Sequence, residues 1–396
     1  MAHFVLWFGF LSAFIVVISV ANKSLWVSLV LGAFILGFVS LPFGKVLLIF
    51  LKTLTDPSIL LLAASVAVIP LIGGIMNESH LMESLVQNLR IGKKGVLITG
   101  PAVFGMLPIP GGALLSAPLV ERAGEDLGDP LKTHMNVWFR HLLMFVYPLG
   151  ELLPTAKIAN INLYEQIIYM IPFLLFSFVL GYVFFARKIK GTMDYKRKFR
   201  LKGLLVPLSI ILLAPIFHFF FRIFFSLSEI PLLIGVSLSL FLALYVSHLS
   251  LKETITVSKT MKIWIFPLII FGMFLFLNMF KASGVSSLIA EIAMPKTLLL
   301  VGVGATLAFV TGRVQVPVSI IVPIYFAKYG VKSIPEVAFS VMFFSVYMGY
   351  IISPVHPCVS VSLEYFKTSF TKYSKGMILP IVLSLVFAAA VSMTLL

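Results

Sequence analysis

The sequence predicts an all-α polytopic membrane protein made of two inverted-topology repeats, with about ten spans plus two re-entrant helical hairpins. Three observations carry this. The 396 residues are 60% hydrophobic and 11% charged, against about 45–50% and about 25% in a soluble domain. Apolar runs long enough for a bilayer recur along the whole chain. Two further apolar stretches, one in each half, are broken in the middle by proline, glycine or charge. At a mean hydropathy of +1.08, soluble enzyme folds and intrinsic disorder are excluded, because too little polar surface is available.

The first repeat, 1–186, offers candidate spans at 4–21, 25–41, 57–75, 135–164 and 166–186. The run from Phe4 to Ala21 lacks a basic leader and a small-residue cleavage site, so it reads as a retained span, not a signal peptide. The second repeat, 203–396, offers 203–221, 230–247, 263–280, 337–365 and 377–395. Stretches 95–121 and 297–326 are each too long for one helix and too short for two crossings. They are expected to dip in and return on the same side. Segments 77–94 and 281–296 read as amphipathic helices lying along the membrane surface.

Orientation follows from the basic residues. The formal charge is +15, and a dense basic run, including Arg187, Lys188, Lys190, Lys198, Arg200 and Lys202, fills the linker 187–202. Such a run marks a cytoplasmic loop, and no nucleic-acid partner is needed to explain it. Five spans per half then give the halves opposite orientations and put both termini outside the cytoplasmic membrane. Arg140, Lys157 and Arg313 fall at membrane depth. Cys358 is the one cysteine, so no intrachain disulfide exists.

The halves share an order of elements. At an offset of 200, residues 137–154 and 337–354 align Val137 with Val337, Phe139 with Phe339, Val146 with Val346, Tyr147 with Tyr347 and Pro154 with Pro354. Inverted repeats with interrupted helices at equivalent places are the signature of a secondary transporter.

Four interruptions fall near the expected midplane. The hairpins turn at 107–112 and 311–317, and the broken helices open at 148–157 and 353–358. Paired prolines stop a helix, and glycine permits a tight tip. Each restarted helix begins with free N–H groups and a partial positive charge. Pro317 suits such a first turn. Converging half-helix N-termini would make an anion site, with carbonyls of the preceding halves available to Na⁺.

The residues expected to hold substrate are Pro110, Gly111, Gly112, Thr155, Arg313, Gln315, Ser353 and His356. Those expected to serve the coupling ion, Na⁺ or H⁺, are Pro108, Glu151, Gly312 and Val355. Arg313 reads as counter-charge to an anion, or as the partner of Glu151 or Glu364. Glu151 reads as a proton carrier, or as the partner of Lys157 six residues on. His356 reads as a substrate donor or a structural histidine. Arg140 and His141 read as structural hydrogen-bonders preceding the break, and His218 with Arg222 as interfacial. Ser116, Ser319 and Ser360 are weaker neutral candidates.

The tip FGMLPIPGGALLSAPLVE, residues 104–121, resembles that of a bacterial and archaeal membrane family, the domain-of-unknown-function family 401. The wider plan resembles the ion-transporter superfamily, which includes gluconate permeases, citrate transporters and divalent-anion/sodium symporters. That resemblance implies a homodimer with a scaffold and a moving domain, in which hairpins and broken helices carry solute by an elevator motion. The divalent-anion relatives carry Ser-Asn-Thr at both tips. Here the tips read Pro-Ile-Pro-Gly-Gly and Gly-Arg-Val-Gln-Val-Pro, which points away from a dicarboxylate and from Na⁺ coupling.

The expected function is therefore ion-coupled transport of a small organic anion, a carboxylate. The alternative is a cation/proton antiporter working through Glu151 or His356. No enzyme is expected. No Asp falls within a predicted span, and neither HExxH nor a phosphate loop is present. No bound cofactor and no metal site are expected.

Overall fold

Helices account for nearly all the ordered backbone, and no strand occurs among the described residues. These are residues 2–21, 23–107, 112–193, 195 and 198–396 of the computed structural model, with Ala2 and Ser286 described by backbone alone. The first half supplies α1 (Ala2–Ala21), α2 (Leu25–Ser40), α3 (Phe43–Leu54), α4 (Pro57–Glu78), α5 (Leu81–Asn88), α6 (Gly92–Met106), α7 (Ala113–Ala123), α8 (Asp129–Arg140), α9 (Leu152–Ile158) and α10 (Leu163–Gly181). The second supplies α11 (Leu201–Phe221), α12 (Glu229–Ser247), α13 (Leu251–Thr260), α14 (Ile265–Ala282), α15 (Val285–Ala290), α16 (Gly304–Thr311), α17 (Gln315–Tyr329), α18 (Glu336–Ile352), α19 (Pro357–Tyr365) and α20 (Phe370–Leu395). The π-wound turns Leu298–Val303 lead into α16, and another π turn, Tyr182–Ala186, extends α10.

Helix boundaries follow from local chemistry. Asp56 caps α4 by accepting from the N–H groups of Ser58 (2.9 Å) and Ile59 (3.2 Å), with Pro57 in the first turn. Ser250 and Glu253 form a reciprocal capping box on α13. Gly312 ends α16 at φ +58°, a left-handed angle that glycine adopts without a Cβ penalty.

Cross-half packing recurs with the halves exchanged. Helix α2 packs on α14, and α12 packs on α4. The same reciprocity holds for α3 on α14 with α13 on α4, and for α5 on α11 with α15 on α1. It holds again for α7 on α19 with α17 on α9, and for α8 on α20 with α18 on α10. Five pairings thus recur with the halves exchanged.

Stretches 95–121 and 297–326 are helix–turn–helix pairs, α6 with α7 and α16 with α17, whose members pack on each other. At 1.5 Å per residue, the 15 residues of α6 and the 11 of α7 reach only about 22 and 16 Å, short of a bilayer core. Helix α20, 26 residues and about 39 Å long, serves as a ruler. Near its start, the Tyr373 carbonyl meets His134 Nε2 at 2.9 Å. Two residues earlier on α8, Lys132 pairs with Glu121 near the end of α7 at 2.7 Å. Near its finish, Ser392 Oγ lies 2.8 Å from Thr297 Oγ1, and Lys296 Nζ donates to the Leu396 carbonyl at 2.9 Å. The bases of the two hairpins therefore lie at opposite ends of the molecule.

Eight helical segments among the described residues are long and apolar enough to cross a membrane: 3–21, 57–78, 163–186, 201–224, 229–247, 265–282, 336–365 and 370–395. The span expected at 135–164 is not continuous. It divides into α8, a 3₁₀ turn at Leu143–Phe145, and α9. The break begins at His141, seven residues before Pro148, where the Arg140 carbonyl faces Gly105. The expected surface helices shrink to α5 and α15, because Gly284 (φ +78°) and the left-handed His80 and Arg90 interrupt them. Helices α3 and α13 were not foreseen. The exposed Phe43, Leu47, Leu48 and Leu51 of α3 alternate with Lys45 and Lys52 too irregularly to read as a span.

The linker packs where the first hairpin begins. Gly92 N–H donates to Tyr195 Oη at 2.8 Å, and Arg200 N–H to Asn88 Oδ1 at 2.7 Å. Lys93 pairs with Asp126, and its ammonium holds that carboxyl below the usual range. Helices α16 and α18 make a close backbone approach. A Cβ on Gly349 would stand 2.0 Å from the Ala305 carbonyl oxygen, whereas one on Gly44 would meet nothing within 4 Å. Gly349→Ala is expected to cost about 1–3 kcal/mol or more by overpacking and to lower the melting temperature in detergent, with Gly44→Ala near neutral. Equal melting of both variants would refute the close contact.

Candidate functional site

Each hairpin tip docks against a helix break through a glycine. A Cβ on Gly105, near the end of α6, would fall 1.8 Å from the Arg140 carbonyl oxygen. One on Gly312 would fall 2.9 Å from the Val355 backbone and 3.0 Å from His356 N. Only hydrogen fits at these contacts, so the tips come as near to the breaks as backbone allows.

Between tips and breaks lies a cavity of about 310 Å³. The first half contributes Arg140, His141 and Glu151 to its wall, and the second contributes Arg313, Gln315, Tyr350, His356 and Cys358. Ile265, Phe266 and Ile269 of α14, with Leu25 of α2, close it with an apolar face. Three helices begin at its rim: α9 after Glu151, α17 at Gln315 and α19 at Pro357. Pro357, in the first turn of α19, needs no N–H partner there.

The polar contacts cross between halves. Gln315 Nε2 donates to the Glu151 carboxylate. His356 Nε2 lies 3.2 Å from His141 Nε2. His141 Nδ1 lies 2.6 Å from the Val137 carbonyl, which can only accept, so Nδ1 carries the proton. In the neutral ring His141 Nε2 is then an acceptor, His356 Nε2 donates to it, and His356 Nδ1 holds a lone pair. That atom is buried without a hydrogen-bond partner. The Tyr350 ring stacks 3.7 Å from that of His356.

Arg140 is 3% exposed, and one of its terminal nitrogens has no hydrogen-bond partner. Cys358 lines the same cavity. Neither Arg140 nor Arg313 forms an ion pair within 4.0 Å among the described residues. Glu151 is the one carboxylate on the wall. Lys262 also lines the chamber, which thus carries two guanidiniums and an ammonium against one acid.

Of the residues expected to bind solute or ion, Glu151, Arg313, Gln315 and His356 meet in this chamber. Gly112 caps the start of α7, and Gly312 forms the second tip. The Thr155 hydroxyl turns back to the Glu151 carbonyl at 2.7 Å, and Ser353 Oγ donates to the Phe309 carbonyl at 2.6 Å. Both are engaged away from the chamber, and Val355 is solvent-facing rather than on its wall. Pro108, Pro110 and Gly111 lie outside the described residues.

Two expected pairings do not form. Glu151 bonds Gln315, not Lys157; Lys157 pairs instead with Glu229 of α12, which also accepts from Ser58 Oγ at 3.0 Å. Arg313 reaches neither Glu151 nor Glu364 as an ion pair. Arg140 and His141 stand at the break itself, not ahead of it. His218 is buried and hydrogen-bonded to Tyr164 Oη at 2.9 Å, while Arg222 donates to Asn162 at 2.6 Å.

Asn136 went unrecognised in the sequence. Its Nδ2 donates to the Ala113 carbonyl and to Ser362 Oγ, both at 2.9 Å, and its Oδ1 accepts from Ser116 at 2.6 Å. It ties α7, α8 and α19 together beside the chamber. A lone amide in an otherwise apolar run is the signal that marks it, since a buried polar group must be satisfied. A second cavity of about 670 Å³ lies further along α14, beside Phe274, Asn278 and Lys281, and Lys157 and Lys332 also line it.

The crystal structure of the YdaH transporter from Alcanivorax borkumensis shares this fold. It superposes with a TM-score of 0.61 at 14% identity, covering 88% of this chain and 86% of that one. No curated protein sequence matches the chain significantly. The family profile described as protein of unknown function (DUF401) matches residues 6–395. The chain therefore belongs to the DUF401 family.

Proposed function

We propose that this protein is a secondary transporter that carries a small organic anion across the cytoplasmic membrane. The observation that carries this is the charge of the chamber. Arg140 is buried with an unpartnered nitrogen, Arg313 lines the same cavity, and the one wall carboxylate is already engaged by Gln315. A charge inside a membrane protein calls for a counter-ion or water, and a carboxylate bound between the two guanidiniums supplies it. The three helix N-termini at the rim add partial positive charge. The same charges disfavour a bare alkali cation, and so weigh against the antiporter reading.

The reciprocal packing and the opposed hairpin bases support two inverted repeats with re-entrant hairpins. Placement in the ion-transporter superfamily, a homodimer and an elevator motion belong to the same proposal. So does coupling to H⁺ or Na⁺, with Glu151 as the carrier in the H⁺ case. The chamber meets the start of α14, at 265–269, and the second cavity meets it at 274–281. With linker 187–202 cytoplasmic, the chamber opens inward and the second cavity faces outside.

Radiolabelled monocarboxylates should accumulate in proteoliposomes under an imposed H⁺ or Na⁺ gradient. Arg140→Gln and Arg313→Gln should each lower uptake by about 30-fold or more, the effect of removing a buried charged partner, with unchanged melting. Absence of flux for every acid tested, in both directions, would sink the transport reading. Full activity in the Arg313 variant would remove that residue from the site. A membrane-impermeant maleimide should modify Cys358 in inside-out vesicles and spare it in right-side-out ones; the reverse pattern would invert the topology.

A further inference from the structure

The chamber also brings together three groups that the transport of an organic anion does not require. His141, His356 and Cys358 each offer one ligand atom, and the three atoms lie within 4.8 Å of one another. We propose that they form a binding site for a soft or borderline transition-metal ion, of the Zn²⁺, Co²⁺ or Cd²⁺ class.

The spacing favours this. Tetrahedral zinc with bonds of about 2.0–2.1 Å to nitrogen sets two imidazole nitrogens about 3.3–3.4 Å apart. The two Nε2 atoms are already 3.2 Å apart. The sulfur must close by about 1 Å to bond at the usual 2.3 Å, and Cys358 stands in the first turn of α19, next to the break. Second-shell geometry agrees. A metal-bound histidine ordinarily donates its other N–H to a carbonyl or carboxylate, and His141 Nδ1 already does so to Val137 at 2.6 Å.

Binding balances as follows. The metal takes the lone pair of His141 Nε2. The proton on His356 Nε2 transfers to the unpartnered Nδ1, which frees the second nitrogen. The Cys358 thiol gives its proton to solvent and binds as thiolate. One proton is released per metal. A fourth ligand would have to come from the cavity, where Arg140, Lys262 and Arg313 would oppose a bare dication and favour an anionic ligand such as chloride, a carboxylate or hydroxide. Glu151 lines the same space.

Neither half of the chain holds the site alone. His141 comes from the first break, and His356 with Cys358 from the second. A metal bound here would pin the two breaks together.

Because Cys358 is the single cysteine, the test is direct on purified full-length protein. Co²⁺ should bind one per chain with a thiolate-to-cobalt charge-transfer band in the near ultraviolet, and Cys358→Ser should abolish that band. Cd²⁺ should slow maleimide modification of Cys358 in the unaltered protein, which requires no variant to fold. His356→Gln should weaken that protection about 10-fold or more. A wild-type protein without the cobalt–thiolate band would overturn the site. So would Cd²⁺ protection that survives replacement of both histidines, since the cysteine alone would then account for it. These readouts do not depend on flux, so failure of the metal site leaves the transport reading standing, and the converse also holds.

Discussion

Backbone that leaves a helix inside a bilayer must find its hydrogen-bond partners within the protein. That constraint governs the rest of this molecule. Two helices break, and two helix–turn–helix pairs are built from short helices. The exposed ends are brought together instead of being left toward lipid. The means is close packing at glycine: Gly105 against the Arg140 carbonyl, and Gly312 against Val355 and His356. A methyl group at either place would force tip and break apart. The polar chamber follows from these contacts, because they leave helix starts and unpaired side chains facing one shared space.

The chamber is assembled across the halves. Glu151 meets Gln315, and His141 meets His356. Asn136 adds a third tie, from α8 to α19 through Ser362. None of these residues completes its bonding within its own half of the chain. Satisfaction of buried polar groups therefore favours one arrangement of the two halves over sliding alternatives. The reciprocal helix pairings express the same relation at the level of packing.

Much of this was legible in the sequence, because membrane topology is dominated by composition. Spans, the basic linker and interrupted stretches all show as runs of residue type. Three of the four interruptions could be located from proline and glycine, and Arg313, Gln315, Glu151 and His356 stood out as polar residues beside the four. What did not show was tertiary. The first break starts at His141 because of a glycine 36 positions earlier in the chain, not because of Pro148. Arg140 therefore belongs to the chamber. Lys157 lies one helix beyond Glu151 and turns to Glu229, a residue whose proximity no local pattern could reveal. Thr155 and Ser353 carry suitable hydroxyls but use them on carbonyls of the interrupted backbone.

The Lys157–Glu229 pair has a mechanical meaning. Helix α9 belongs with the breaks and tips, while α12 packs on α4 and α11. Ser58, at the start of α4, holds the same carboxylate. Breaks and tips are held together by their glycine contacts, so the elevator motion we propose would slide them past α4 and α12 along a shared border. The ion pair straddles that border like a clasp. Any stroke of the inner body past its frame must first open the clasp and then hydrate or re-pair an acid that is only 3% exposed.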